Sequence, residues 1–174
     1  ELEAGTVSPA VLRVLRFERL LQTIGSDVAP LPVSESYLRN LSECTHLIEG
    51  AHELLESLHR AYRIAIATNG LSVVQRPRVG NSAIRDYIAD LVISEEIGKA
   101  KPAMAFFDTA FERMGNPDRS AVLMVGDSLS SDIAGACNYG MDTCWYNPAA
   151  HARPEHLAIT YEIRSLGELG GILK

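Results

Sequence analysis

The sequence predicts an α/β protein built on a doubly wound parallel sheet, preceded by a short helical segment. After residue 50, short apolar runs alternate with stretches whose apolar residues recur at helical spacing. That alternation is typical of parallel strands connected by helices on both faces of a sheet. The first 45 residues contain only helical patterns, so we predict a helical segment over 1–45 and an α/β core over 46–174.

Two helices are predicted in the helical segment. Ser8 is a suitable N-cap, and the next residue is a proline, which is well tolerated at the first helical position. Apolar residues then recur at helical spacing until Gly25, which supplies a stop signal. An Ala-Pro-Leu-Pro stretch breaks the chain, and we predict a second helix over 34–44 with Ser34 as its cap.

The α/β core is predicted to contain five strands separated by helices. Four apolar runs are interpreted as buried strands, and a fifth is weaker: 62–68, 90–94, 121–126, 142–146 and 159–163. Helices are predicted between and after them, notably over 104–114, 130–139 and 166–173. Sheets of this type bind ligands at the carboxyl ends of their strands, so the residues at those positions are the first candidates for chemistry.

Composition excludes several classes of function. The formal net charge is −6, which disfavours binding to nucleic acid, since that depends on a basic surface. No apolar run reaches the length needed to span a bilayer, so we expect no membrane association. Three cysteines, an odd number within regular segments, favour a reduced, cytoplasmic protein over a disulfide scaffold.

The strand end at Gly126-Asp127 is the most informative segment. Asp127 follows an apolar strand and a glycine, and Asp132 follows at the start of the next helix. Two carboxylates on one loop are suitable ligands for Mg²⁺, although the same residues could serve only as helix-capping and first-turn acids.

Two further strand-end or helix-start positions carry polar groups. Thr68 closes a predicted strand before Asn69-Gly70, where a hydroxyl, the Asn69 amide and main-chain N–H groups could hold phosphoryl oxygens, although Asn-Gly is also a common turn. Lys101 precedes Pro102, which we interpret as the first residue of a helix. An ammonium there could neutralise carboxylates and phosphate together, although such a lysine is usually solvated.

The order of these residues resembles that of the haloacid dehalogenase-like hydrolases. That family has a Thr or Ser closing one strand, a Lys, and then an acid pair on a later strand-end loop. These features match Thr68, Lys101, and Asp127 with Asp132. The wider stretches Ala-Thr-Asn-Gly, Gly-Lys-Ala-Lys-Pro and Val-Gly-Asp-Ser look more narrowly like the noncanonical pyrimidine 5'-nucleotidase branch.

The resemblance implies a magnesium-dependent hydrolase of small phosphomonoesters, with pyrimidine nucleoside monophosphates as leading substrates. Asp127 would hold Mg²⁺, and the first polar group, Thr68 with Asn69 and Gly70, would bind substrate oxygens. Lys101 would bind the nucleophile and the phosphate, and Asp132 would orient either Lys101 or a metal-bound water. Residues 1–45 would form part of a helical cap over the substrate.

The sequence departs from the family pattern at the first motif. Family members carry an Asp-x-Asp whose first residue attacks phosphorus, and no Asp-x-Asp occurs here. We therefore expect the nucleophile to lie upstream of this chain, and the chain by itself to be inactive. The resemblance also places the missing strand between strands 62–68 and 121–126, so those two should be either two strand spacings apart or in direct contact.

Alternative functions remain open at this point. Haloacid dehalogenation uses the same aspartate attack, but it needs no Mg²⁺ and is associated with a different sequence at the Gly126-Asp127 position. A phosphoryl-receiving domain would carry its acids before the Thr and Lys. A non-catalytic, truncated member of the family would keep the phosphate-binding residues alone. We interpret His151 and His156 as loop residues, and Glu95 and Glu96 as a solvated face.

Overall fold

A computed structural model describes residues 9–173 of the chain. The chain divides between Cys44 and Thr45 into two compact units. Ser8, the predicted cap of the first helix, lies outside the described residues. None of the described helices has both the length and the apolar character required to cross a membrane.

The first unit contains helices α1 (Pro9–Thr23) and α2 (Pro30–Glu43). Gly25 has a φ of +66°, and this left-handed conformation follows the end of α1, as predicted. The predicted role of Ser34 as a cap is wrong, because α2 begins four residues earlier at Pro30. Proline suits the first helical turn, and the Ser34 hydroxyl is buried and donates instead to the Arg13 carbonyl, 2.8 Å away.

The second unit alternates strands and helices, which confirms the predicted α/β class. Its strands are β1 (Ala65–Thr68), β2 (Asp90–Ile93), β3 (Leu123–Gly126), β4 (Asp142–Tyr146) and β5 (Tyr161–Ile163). Its α-helices are α3 (Ala51–Leu58), α4 (Ser72–Gly80), α5 (Ser94–Ile97), α6 (Met104–Arg113), α7 (Ala134–Tyr139) and α8 (Leu169–Ile172). A wider helical turn, Leu129–Ile133, leads into α7.

Hydrogen bonding divides the strands into two parallel sheets rather than one. β1 pairs with β2, and β3, β4 and β5 follow one another in the second sheet. Of the two arrangements expected for β1 and β3, direct pairing does not occur, and each has one edge that pairs with no described strand. Both sheets nevertheless place the carboxyl ends of their strands around Lys101, which contacts Ala67 in β1 and Asp132 after β3.

β1 and β3 are less buried than the sequence predicted. Every residue of both strands is only partly buried, although Ile66 and Val125 are strongly apolar. In contrast, Val92 and Ile93 of β2 and Cys144 of β4 are completely buried. The difference follows from position, because an unpaired edge leaves a strand accessible along one side.

Several predicted boundaries in the second unit need correction. Pro102 is not the first residue of a helix: α6 begins at Met104, after a turn in which the Ala103 N–H donates to the Ala100 carbonyl. The predicted helix over 130–139 is α-helical only from Ala134, because the preceding turn has hydrogen bonds of longer span. Strand 142–146 has the predicted limits, and the other strands are shorter than predicted.

The largest apolar cluster packs β2 against α6 and α7. It includes Phe106, Phe107, Phe111 and Tyr139, and the last two rings are 4.9 Å apart. Cys144 lies in a separate cluster with Ile163 and Leu169, and burial raises the pKa of its thiol to about 11. This packing holds in place the strands and helices next to Thr68, Lys101 and Asp132, which lie at the carboxyl ends of the strands, here called the carboxyl edge.

Candidate active site

Thr68, the last residue of β1, carries a hydroxyl that is held by a side chain from the next helix. Gln75, in α4, donates from Nε2 to Thr68 Oγ1 at 3.1 Å. Gly70 makes room for this contact, because a Cβ at Gly70 would lie 2.6 Å from Gln75 Nε2. The loop after β1 therefore presents an oriented hydroxyl together with the main-chain N–H groups of Asn69 and Gly70.

The Asn69 side chain binds the main chain of Lys101 rather than standing free. Its Nδ2 donates to the Lys101 carbonyl at 2.8 Å, and its Oδ1 accepts from the Lys101 N–H, also at 2.8 Å. Both ends of the amide are thus occupied by one residue. These contacts leave the second Nδ2 N–H and the main-chain N–H of Asn69 unused.

The Lys101 ammonium lies between the two sheets. Nζ donates to the carbonyl of Ala67 in β1 at 2.5 Å and to Asp132 Oδ1 at 2.7 Å. The side chains of Lys101 and Asp132 are only 7% and 9% exposed, so this is a buried ion pair. Since an ammonium has three donors and these contacts use two, one N–H remains for an anion at the carboxyl edge.

Asp132 is fixed by the loop that follows β3. Its second carboxylate oxygen, Oδ2, accepts from the Ser128 N–H at 3.2 Å, so both oxygens have protein partners. Ser128 in turn caps the following turn by accepting from the Ser131 N–H. Gly126 is required beside it, because a Cβ there would lie 2.5 Å from Asp132 Oδ2.

Asp127 differs from Asp132 because its side chain is exposed. No described residue forms a hydrogen bond or an ion pair with its carboxylate, whereas its carbonyl accepts from the Trp145 indole at 3.1 Å. The main chain is therefore held while the carboxylate is free. No group of three or more His, Cys, Asp or Glu side chains in the described part of the chain is arranged to hold a metal.

These residues nevertheless fit one side of a magnesium site. Mg²⁺ in phosphoryl-transfer sites is held by one or two carboxylates, with water and substrate phosphate completing its coordination. Asp127 supplies one free, hard oxygen donor of that kind at the strand end. Asp132 is not available in the same way, because Lys101 and Ser128 occupy its oxygens.

Glu95 and Glu96 do more than form a solvated face. The Ser72 N–H, in the first turn of α4, donates to Glu95 Oε2 at 2.7 Å, and Arg76 binds both oxygens of Glu96 at 2.6 Å. The hydrogen bonds from Arg76 lower the pKa of Glu96. These contacts hold α4, and hence Gln75, against the segment after β2.

The predicted site residues fall into one group, and the loop histidines stay apart from it. Thr68, Asn69, Lys101 and Asp132 form a continuous set of contacts, and Asp127 lies on the same loop as Asp132. His151 and His156 are exposed on the loop after β4, as predicted from the sequence.

Sequence reasoning missed two further members of this neighbourhood, Gln75 and Trp145. Gln75 lies inside a helix, and its sequence position gives no sign that it faces Thr68. Trp145 lies within a strand, where an indole is read as core. The pairing of Gly126 with Trp145 across β3 and β4 does bring that indole beside the Asp127 carbonyl.

Comparisons with known proteins place the chain in a family. Residues 20–146 match the family described as haloacid dehalogenase-like hydrolase. The chain is 40% identical to pyrimidine 5'-nucleotidase YjjG of Escherichia coli over 173 residues, covering 99% of this chain and 76% of that protein. It is 33% identical to pyrimidine 5'-nucleotidase PynA of Streptococcus pneumoniae over 170 residues, covering 97% of this chain and 72% of that protein.

A solved structure agrees closely with the fold. It is the magnesium-bound form of the HAD-hydrolase YfnB from Bacillus subtilis, with a TM-score of 0.92 and 35% sequence identity. The match covers 99% of this chain and 76% of that one. These matches confirm the resemblance inferred from Thr68, Lys101 and the Asp127 loop, and the chain belongs to the haloacid dehalogenase-like hydrolases.

Proposed function

We propose that the protein is a magnesium-dependent hydrolase of small phosphomonoesters, with pyrimidine nucleoside monophosphates as its leading substrates. The observation that carries the proposal is the buried Lys101–Asp132 pair, whose contacts with Ala67 and Asp132 use two of the three ammonium donors and leave one for a ligand. A cation held by a buried anion and surrounded by N–H and O–H donors suits a phosphoryl group. The names of the relatives in Escherichia coli and Streptococcus pneumoniae support the nucleotide class.

The residues of this chain would bind and orient the phosphoryl group. The Thr68 hydroxyl and the N–H groups of Asn69 and Gly70 would donate to its oxygens. Lys101 would neutralise both the phosphate and the attacking carboxylate, because it can approach both with its remaining N–H. Asp132 would hold the ammonium in place through the buried ion pair between the two side chains.

Asp127 would hold Mg²⁺ in this reaction, and the magnesium bound in the structure of the Bacillus subtilis relative supports the choice of ion. The bound ion would neutralise charge between two anions that otherwise repel each other. This chain would contribute the exposed carboxylate of Asp127. The main chain of Asp127 is held by a hydrogen bond from the Trp145 indole to its carbonyl.

The proposed chemistry is covalent and needs an attacking aspartate, which the family carries in an Asp-x-Asp that these 174 residues lack. An aspartate would attack phosphorus, forming a carboxylate O–P bond as the P–O bond to the leaving group breaks. A neighbouring acid would give the leaving oxygen its proton, and water would then hydrolyse the aspartyl-phosphate. Because no Asp-x-Asp occurs in the sequence, we propose that the 174-residue chain alone does not turn over substrate.

We further propose that the protein works in the cytoplasm, a proposal supported by the odd number of cysteines in its sequence. The helical hairpin of α1 and α2 would belong to the cap that covers the substrate.

The test is phosphate release from a panel of nucleoside monophosphates and sugar phosphates, with Mg²⁺ and with EDTA. The protein expressed from its complete coding sequence is compared with the 174-residue chain. We expect EDTA-sensitive release by the former, highest for pyrimidine nucleotides, and none by the latter. Turnover of haloacids in place of phosphomonoesters would refute the proposal, and turnover by the short chain would show that the nucleophile has been misplaced.

A further inference from the structure

Gln75 is the one described side chain that donates a hydrogen bond to the Thr68 hydroxyl. It lies in the first turns of α4 and is half-buried, and its Nε2 is 3.1 Å from Thr68 Oγ1. Gly70 lies beneath it so closely that a Cβ at that position would be 2.7 Å from Gln75 Cγ. The glycine after Asn69 therefore gives the glutamine its access to the strand end.

This contact determines which way the hydroxyl proton points. A threonine hydroxyl has one proton to donate, and the NH₂ group of a glutamine can only donate. With Gln75 occupying an acceptor position on Oγ1, the Thr68 proton is directed to another acceptor. No described residue accepts a hydrogen bond from it.

We propose that Gln75 is a positioning residue for phosphate binding that acts through Thr68. By donating to Oγ1, it holds the hydroxyl with its proton toward the place of the phosphoryl oxygen. An oriented donor needs no rearrangement when the anion arrives, so it binds more tightly than a freely rotating one. This inference rests on the proposed function for the identity of the acceptor.

A structural role would be an alternative reason for Gln75 to be there. The hydrogen bond also joins α4 to the end of β1. Two other residues of α4, Ser72 and Arg76, bind Glu95 and Glu96 in the segment after β2. The two roles differ in one respect. A positioning effect disappears when the Thr68 hydroxyl is removed, whereas a general effect on the loop does not.

The experiment is therefore a double-mutant cycle between Gln75→Met and Thr68→Val, read as the affinity for inorganic phosphate. Affinities are measured by ³¹P NMR titration with Mg²⁺, on the protein expressed from its complete coding sequence. We expect Gln75→Met to weaken phosphate binding about tenfold in the wild-type background, the size of one hydrogen bond to a charged group. In the Thr68→Val background, we expect no further weakening.

Two other variants complete the design. Val73→Met places the same side chain at a 63% exposed position of the same helix and should leave phosphate affinity unchanged. Gln75→Glu supplies an acceptor that takes the Thr68 proton for itself. We expect Gln75→Glu to weaken phosphate binding more than Gln75→Met does. The share of that weakening that comes from the negative charge of the glutamate should persist in the Thr68→Val background.

The outcomes separate the two proposals. Equal weakening by Gln75→Met in both backgrounds, or no weakening in the wild-type background, would overturn the role of Gln75. Absence of phosphate binding by the wild type would overturn it too. If phosphate binds with the expected coupling but no phosphomonoester is hydrolysed, the proposed function fails while the assignment of Gln75 stands.

Discussion

The two ends of the parallel strands use charged residues in opposite ways. At the carboxyl end, Lys101 and Asp132 form an ion pair whose side chains are less than 10% exposed. At the amino end, Arg113 binds Asp90, the first residue of β2, and those side chains are 35% and 15% exposed. Both pairs are short, at 2.7 and 2.5 Å, so distance does not distinguish them.

Burial is what distinguishes the two pairs, and it agrees with the role proposed for Lys101 at the carboxyl end. Removing two charges from water costs free energy that a single ion pair recovers only with good geometry and further hydrogen bonds. Lys101 and Asp132 have these, from Ala67 and Ser128. A stable fold has no need of such a pair, whereas a phosphate site needs an ammonium fixed in place. The amino-end pair is more exposed, so its charges lose less hydration when it forms, and we expect its contribution to stability to be smaller.

The strongest test of this comparison is Lys101→Met, which leaves Asp132 buried without its partner. We expect the free energy of unfolding to fall by about 3–5 kcal/mol and hydrolysis to be lost. Urea unfolding and phosphate release measure the two effects. Lys99→Met, at an exposed position two residues earlier, is the matched control. If both variants unfold at the same urea concentration, burial of the pair has no energetic consequence.

Asp127→Asn should separate function from stability within one loop. Because the Asp127 carboxylate is exposed and has no described partner, we expect the unfolding free energy to change by less than about 0.5 kcal/mol. Mg²⁺ binding, measured by calorimetry, should be lost, and turnover should fall by about a hundredfold or more. Undiminished metal binding would remove Asp127 from the proposed site.

Asn69→Ala should have an intermediate effect, because it removes two hydrogen bonds to the main chain of Lys101. Each is worth about 0.5–1.5 kcal/mol, so we expect a loss of about 1–3 kcal/mol in unfolding free energy. Turnover should fall as well, since Lys101 is no longer held from β1. Asn138→Ala, on the exposed face of α7, is the control. An equal, small effect of both changes would mean that the Asn69 contacts are dispensable.

At the amino end, Arg113→Met should cost only about 0.2–1 kcal/mol of unfolding free energy, because its ion pair with Asp90 is partly hydrated. Turnover should stay at the wild-type level, since the pair lies at the opposite end of the strands. If Arg113→Met lowers the free energy of unfolding as much as Lys101→Met does, then neither burial nor position in the sheet determines how much each pair stabilises the fold.

The smallest expected effect concerns pH and the exposed Arg76–Glu96 pair. Arg76 lowers the pKa of Glu96, so this pair stabilises the fold above the ordinary pKa of a glutamate. That contribution is lost as the pH falls through the lowered pKa of the folded state. In Arg76→Met, the melting temperature should therefore fall less steeply as the pH is lowered from about 6 to about 3. An identical dependence on pH in both proteins would contradict this.

Much of the fold could be predicted from the sequence because its patterns are local. Strand 142–146 and the stop at Gly25 follow from apolar runs and from backbone conformations that individual residues favour. The division into two sheets could not be predicted in this way. Which strands pair depends on contacts between distant segments. No local pattern in β1 or β3 indicates that one edge of each strand lacks a partner among the described strands.

The candidate site was predictable in its residue types and less so in its contacts. Thr68, Lys101 and Asp132 stand at strand ends or beside helices, where the sequence draws attention to them. Their partners do not: Gln75 reaches Thr68 from a helix interior, and the Asn69 amide binds main-chain groups that every residue has. Such contacts come from tertiary packing, which a single sequence does not state.

Gly70 and Gly126 limit how this protein could be engineered for greater stability. Replacing glycine by alanine often stabilises a protein, because it reduces the freedom of the unfolded chain. Neither glycine has a positive φ, so backbone conformation alone would permit the change. The space at Gly126, however, is taken by the Cβ and carboxylate of Asp132, both within 2.6 Å of the place where an alanine methyl group would lie. At these two positions, a stabilising methyl group would need the space that the side chains of Gln75 and Asp132 occupy in the candidate site.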